Sequence, residues 1–272
     1  MDKVQRILQL ISAIKTFDEG NSGYAVGKRS IKKVFEAIDG KSHENILARL
    51  TVIDSVYSTQ MGRRYYGLEE LADVLANLQK KRDLSVIFLS FLQDKEIREF
   101  TTICNGKEKN LFLENYGIGK NGNDKGHALS LITKYAYFET KCNFPIYDSI
   151  VREMYPLIWN YCGLPKKEMP KMRNVVNNIT AFIESIELLK KKLGGPKELT
   201  YDSLDRLLWY TGKILRGNLS LILTMEEYVQ YGAEFNKKDF ILSNYNLSEI
   251  KFLEINNALK GVFEFAKEIS NL

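Results

Sequence analysis

Cysteine and histidine are scarce in this chain, with three Cys and two His among 272 residues. Cys104, Cys142 and Cys162 are odd in number and form no CxxC pair. Neither a disulfide framework nor a zinc site is expected, and a reducing, cytoplasmic setting with no metal and no cofactor follows. Long apolar runs are missing as well. SVIFLSFL, from Ser85 to Leu92, falls well short of the roughly 18 residues that cross a bilayer and suits a buried helix or strand. The opening stretch MDKVQRILQLISAIKTFDEG has neither a long apolar core nor a small-residue cleavage site. Its Ile7, Leu8, Ile11 and Ile14 line one side of an amphipathic helix, so a soluble protein is expected, without export or membrane attachment. Alternating strand patterns with tight-turn dipeptides are scarce, and no fixed-period repeat or low-complexity tract occurs. That excludes a substantial sheet, a solenoid and a disordered chain. Charge of one sign does not dominate either. A net charge of +5 and a pI near 8.8 are compatible with a polyanionic partner without announcing one.

What the chain does contain is helical periodicity. With 44% hydrophobic and 27% charged residues it can bury a sizeable core, as one large domain or two closely packed lobes. Apolar spacing predicts helices at about 2-17, 30-38, 43-57, 68-81, 84-99, 127-140, 149-162, 171-193, 202-215 and 247-270, an all-α fold. The clearest pattern runs over 171-193, where Ile179, Phe182, Ile183, Ile186, Leu189 and Leu193 share a face and Gly194-Gly195-Pro196 ends it. Thr200 or Asp202 is suited to cap the next helix, and one small hairpin is expected around Met61 to Tyr66. The longest irregular stretch runs from Asn105 to Asn110 and, after a short apolar piece, from Tyr116 to Gly126. It separates an N-terminal lobe, 1-110, from a C-terminal lobe, 111-272, that carries the most notable polar residues.

Two of these stand close in sequence. His127, Leu131, Lys134 and Phe138 follow one helical stripe at steps of four, three and four, so Lys134 sits among apolar neighbours. Such a lysine either snorkels its amine to water or is partly desolvated, which moves it toward a neutral, nucleophilic amine. A short turn later comes Phe144-Pro145-Ile146-Tyr147-Asp148-Ser149-Ile150-Val151, in which Asp148 precedes an apolar helix. As an N-cap its carboxylate satisfies backbone N–H groups. Held there, it is also suited to stabilise a cationic sugar and to activate a water or an amine.

FPIYDSIV resembles the FPxxDxxV segment of the helix-hairpin-helix DNA glycosylases of the adenine-glycosylase, endonuclease III and 8-oxoguanine-glycosylase kind, in which the aspartate is essential. The resemblance covers about fifty residues, from Glu114 to Gly163. It implies a two-lobed helical fold and a base-flipping N-glycosylase with Asp148 as the catalytic carboxylate. Thr133-Lys134-Tyr135-Ala136 resembles the block that carries the Schiff-base lysine of bifunctional members, so Lys134 is implied as nucleophile of an added lyase step. Lys134 lies 14 residues before Asp148, about one helical turn closer than the family keeps, and Ser130 occupies the usual spacing. A serine there implies a monofunctional enzyme that uses water. Tyr116-Gly117-Ile118-Gly119 resembles the family's central hairpin turn, whose N–H groups hold a DNA phosphate. A glycine-rich insertion separates it from the catalytic helix, so the hairpin is degenerate. The blocks Arg49 to Gln60 and Leu204 to Lys213, in that order around FPIYDS, are similar to poorly characterised bacterial proteins with an 8-oxoguanine-glycosylase-like fold.

The implied partner is duplex DNA with a damaged or modified base, in repair or in defence against phage. Lys120, Lys125, Lys166, Lys167, Lys171 and Arg173, with Gly117 and Gly119 of the turn, are the candidate DNA contacts because they flank the site in sequence. Most other basic clusters, among them Lys28-Arg29 and Arg63-Arg64, are expected to be solvated helix faces. Tyr135, Phe138, Tyr147, Trp209 and Tyr210 are candidates for the base pocket, or simply core. Ser58 and Gln60 are suited to reading a base edge or to finishing a helix, and His127 to meeting a phosphate. The alternative is a non-catalytic helical DNA-binding or protein-interaction module that keeps the glycosylase fold.

Overall fold

The computed structural model describes residues 2–18, 23–57, 59, 61–119, 122, 126–194, 199–216, 229 and 257–271. These form an all-α fold: α1 (Lys3–Asp18), α2 (Gly23–Ala37), α3 (His43–Tyr57), α4 (Gly67–Lys81), α5 (Leu84–Asp94), α6 (Leu129–Glu139), α7 (Ser149–Tyr161), α8 (Met172–Val175), α9 (Ile179–Lys192), α10 (Tyr201–Leu215) and α11 (Asn257–Ser270). Two small antiparallel pairs accompany them, β1 (Thr101–Cys104) with β2 (Lys107–Asn110) and β3 (Asn115–Tyr116) with β4 (Gly126–His127). Among the described residues no helix is long and apolar enough to cross a membrane.

The chain groups into two compact units, each built from separated segments: 1–28 with 148–171 and 185–272, and 29–147 with 172–184. This differs from a division near residue 110, because the apolar face of α1 (Ile7, Leu10, Ile11, Ile14) is buried and α1 packs on α10 and α11. In that unit α7 also packs on α10 and α11, with Trp159 and Tyr155 stacked at 5.9 Å. In the other unit α3 packs on α4 and α6, and α5 on α6. There Phe88, Phe91, Phe100, Phe112 and Phe144 form an aromatic cluster with ring centroids 4.6 to 6.5 Å apart. Burying each such ring contributes roughly 1.5–3 kcal/mol relative to exposure.

Helix ends follow local chemistry. Thr200 caps α10 through a reciprocal box with Ser203, and Asp83 caps α5 by accepting from Val86 N. α5 stops at Asp94, earlier than its apolar spacing predicts, because Lys95 turns left-handed (φ 59°) and a 3-10 turn follows. The 171-193 pattern is two helices, broken by Asn177 at φ 57°. α2 begins at Gly23 rather than 30 and runs through Gly27, because Tyr24, Ala25 and Lys28 are all buried. The irregular stretch at Asn105 is a tight hairpin: Cys104 pairs with Lys107 across Asn105 (φ 51°) and Gly106 (φ 73°), the backbone that Asn-Gly turns prefer. No hairpin forms at Met61 to Tyr66. A 3-10 turn over Met61–Arg63 is followed by Tyr65, which bridges instead to Ile118. For the helix predicted at 247-270, the part before 257 lies outside the described residues.

Gly212 marks the closest approach of α10 to α7: a Cβ there would run into Ile150 Cγ2 and lie 3.1 Å from Met154 Cγ. Helix propensity favours Gly→Ala by about 0.5–1 kcal/mol, while overpacking costs about 1–3 kcal/mol. Gly212→Ala is therefore expected to lower stability in urea denaturation, against the sign of its propensity.

Candidate active site

The lysine and the FPIY segment meet through one buried hydroxyl. Thr133, with no solvent exposure, donates its Oγ1–H to the Leu129 carbonyl (2.9 Å) and accepts the Tyr147 N–H at 3.0 Å. Phe144, Ile146 and Tyr147 are buried, Tyr147 packs edge-on to Phe182 at 5.1 Å, and its hydroxyl accepts the Asn177 N–H. One position along α6, Lys134 is 3% exposed. Helical side chains lean toward the N-terminus, so the four-carbon stem carries the amine back one turn. Nζ donates to Ser130 Oγ at 2.7 Å and lies 5.3 Å from the Tyr57 ring centroid. The two residues that compete for the nucleophile position in sequence thus converge on one spot, with Ser130 half-buried.

A turn beyond Lys134, Phe138 lines a cleft of about 530 Å³ together with Phe35, Lys32, Arg49, Glu139 and Lys141. The Phe35 and Phe138 rings are 5.6 Å apart, and Tyr57, under the Lys134 amine, is 6.3 Å from Phe138. Arg49 is buried, stacks 4.3 Å over Phe35, pairs with Glu139 at 2.6 Å and donates to the Phe35 and Ile38 carbonyls that end α2. Burial raises the Glu139 carboxyl above the usual range, opposed by Arg49. Tyr135 is fully buried, its phenol also raised by burial, and it belongs to the core rather than the cleft.

Asp148 begins α7 in the other unit. It is half-buried and extended (φ −154°), and its Oδ1 accepts the Val151 N–H at 2.8 Å, the capping geometry expected of it. In the same unit Asp205, buried on α10, feels the Asp148 charge. Tyr24 Oη donates to Asp205 at 3.0 Å, and Lys28 Nζ lies 3.8 Å from Asp205, 2.7 Å from Asp202 and 3.0 Å from Tyr24 Oη. Arg206 braces Asp202 at 2.9 Å, and Trp209 stacks on Tyr24 at 4.0 Å. Lys28 is thus a buried ion-pair partner and not part of a solvated face. Trp209, like Tyr210, is packed inside this unit.

The Gly117 turn is occupied from within. Gly117 N–H donates to a Glu70 carboxylate oxygen at 3.0 Å, and Ile118 N–H to the Tyr65 carbonyl at 2.9 Å, so these amides are engaged by the chain itself. Gly119 accepts from Gly122 N–H. Lys166, Lys167, Lys171 and Arg173 are exposed, on a 3-10 turn and the segment after it that Trp159 anchors by donating to the Pro165 carbonyl. His127 is exposed on β4, and His43 opens α3 and contacts Asp73 at 3.2 Å. Lys120, Lys125, Ser58 and Gln60 lie outside the described residues. Among the described residues no three His, Cys, Asp or Glu side chains are grouped as metal ligands.

No protein-family model, curated protein or solved structure matches this chain.

Burial, with the Asp148 and Asp202 charges, pushes the Asp205 carboxyl up to about 6, while Lys28 and the Tyr24 hydroxyl pull it down. An acid whose folded pKa lies above its unfolded value makes the folded state bind the extra proton. Its contribution is full below about pH 4 and is lost as pH rises through about 6. The stability difference between wild type and Asp205→Asn is therefore expected to shift in favour of the variant between pH 4.5 and 7. Urea denaturation at the two pH values checks this, and a constant difference contradicts it.

Proposed function

We propose that the chain is a DNA N-glycosylase that extrudes a damaged or modified base and cleaves its N-glycosidic bond, with Asp148 as the stabilising carboxylate and Lys134 as the nucleophile of an accompanying lyase step. The single observation that carries this is the Lys134 amine at 2.7 Å from Ser130 Oγ. The spacing of Lys134 in sequence is a turn short for the resemblance, but its stem delivers the nitrogen to the position that Ser130 holds. The Tyr147 N–H bound to Thr133 supports the same assignment, since it fixes the peptide just ahead of Asp148 to the residue just ahead of Lys134.

In this scheme the departing base leaves an oxocarbenium-like sugar, whose positive charge Asp148 stabilises while remaining oriented by its cap to Val151. The Lys134 amine adds to C1′ of the sugar cation; the proton it sheds passes to O4′ as the C1′–O4′ ring bond opens, and the resulting Schiff base permits β-elimination of the 3′-phosphate, which cuts the strand. The cleft one turn further along α6 takes the flipped base against Phe35 and Phe138, with Arg49 and Glu139 as polar groups.

A second reading, a DNA-binding module that no longer cuts, is favoured by the turn at Gly117, whose amides are spent on Glu70 and Tyr65. Duplexes carrying 8-oxoguanine, uracil, alkylated bases or glucosylated hydroxymethylcytosine, incubated with and without borohydride, separate the two. Expected are abasic sites that fall by at least about a hundredfold in Asp148→Asn, and a borohydride-trapped adduct missing in Lys134→Gln. Folded protein that cuts none of these duplexes moves the assignment to the binding module. Adducts that persist in Lys134→Gln remove Lys134 from the mechanism.

A further inference from the structure

Two aromatic side chains lie in water where the fold gives them nothing to cover. Tyr65 is 63% exposed and Tyr66 67%, in the sequence Gly62-Arg63-Arg64-Tyr65-Tyr66-Gly67 between α3 and α4. The loop that displays them is built with care. Asp54 accepts the Met61 and Gly62 N–H groups at 2.9 and 2.8 Å, and Tyr65 exchanges both backbone hydrogen bonds with Ile118. Gly117 lies so close that a Cβ there would meet Arg64 Cβ at 2.7 Å and Gly67 Cα at 2.8 Å, and Gly126 lies against the Arg64 guanidinium. Tyr66 itself is held at φ 61°, a backbone that tyrosine adopts only under constraint.

We propose that this loop is a stacking surface for unpaired DNA bases, with Tyr65 and Tyr66 as platforms and the exposed Arg63 as a contact to the backbone phosphates. A rigid loop that already shows its rings loses little freedom when a base stacks on them, and an aromatic face accepts any base. Arg63 is exposed on the turn, and of the acids next to it Asp54 and Glu70 are turned to backbone N–H groups while Glu69 faces solvent. The choice of DNA over another polyanion rests on the proposed glycosylase function. The binding itself needs no damaged base.

The test is fluorescence anisotropy with three labelled probes, a 12-nucleotide DNA strand, the RNA strand of the same sequence and the 12-base-pair duplex. The wild type is expected to bind the DNA strand more tightly than the duplex. Tyr65→Ala and Tyr66→Ala are each expected to weaken strand binding on the order of tenfold, with Tyr65→Phe close to wild type. Arg63→Ala is expected to lower the salt dependence by about 0.7 in log–log slope. Tyr66→Gly, which removes the ring and relieves the left-handed backbone, should lose binding with Tm unchanged or higher, so that loss of affinity is separated from loss of fold. Strand binding as tight in the alanine variants as in the wild type overturns the assignment, as does tighter binding of RNA than DNA. No strand binding by the wild type overturns it too and hands the loop to a protein partner. Tyrosine-dependent strand binding by a protein that excises no base sinks the glycosylase reading alone.

Discussion

A helical core has no use for a buried backbone amide that finds no acceptor, and in this chain the constraint falls on the peptide at Tyr147. Leaving that N–H unsatisfied would cost about 1–3 kcal/mol. Thr133 resolves it from within a helix whose own backbone is already paired. Its hydroxyl hydrogen turns back to the Leu129 carbonyl, which leaves a lone pair for Tyr147. The segment that follows Phe144 is thereby held against α6, and α7 starts where Asp148 can cap it. Lys134 and Asp148 are each the next residue along from one partner of this bond.

Buried charge is handled in the same way but with less economy. Lys28 and Lys134 are both about 3% exposed, and each leans on an oxygen one turn back on its own helix, Tyr24 Oη for Lys28 and Ser130 Oγ for Lys134. Lys28 adds two carboxylates, one of which, Asp205, is itself buried. Arg49 and Glu139 repeat the theme beside the cleft. Replacing a buried ion pair by apolar side chains of the same volume is often neutral or stabilising, so stability alone is a weak account of why the fold keeps these groups.

Much of the architecture was legible in periodicity and caps. The helices over 43–57 and 67–81 begin and end within a residue of the apolar pattern, and Thr200 and Asp148 cap as their positions indicate. The misses have identifiable causes. Apolar spacing places a helix at about 30-38, whereas tertiary burial of Tyr24 and Lys28 extends α2 back to Gly23, so Lys28 belongs to a buried face and not to a solvated one. Charged residues around Asn105-Gly106 mask the strand alternation, so the stretch reads as irregular, although the dipeptide itself is a strong hairpin signal. At 171–193 the apolar face continues across Asn177, whose left-handed backbone no periodicity reveals. Lys134 stood out because a lysine interrupts an apolar stripe. The same interruption occurs at Lys28, between the buried Tyr24 and Ile31, and would have pointed to Asp205 and its neighbours as the missing acidic partners.

The amides of the turn at Gly117 are engaged by acceptors from the chain itself. A glycine at positive φ brings successive N–H groups to one side, which suits a phosphate, and the resemblance assigns it that role. Here Glu70 supplies a carboxylate in the phosphate's place and Tyr65 a carbonyl. Both acceptors belong to the chain, so the hydrogen bonds brace the turn against the loop from Gly62 to Tyr66 instead of reaching outward. An internal carboxylate needs no counterion exchange and loses no translational freedom, so an external phosphate must displace it to bind at Gly117. Under the proposed function, contact with DNA would fall to side chains that stand beyond the brace and not to the amides inside it.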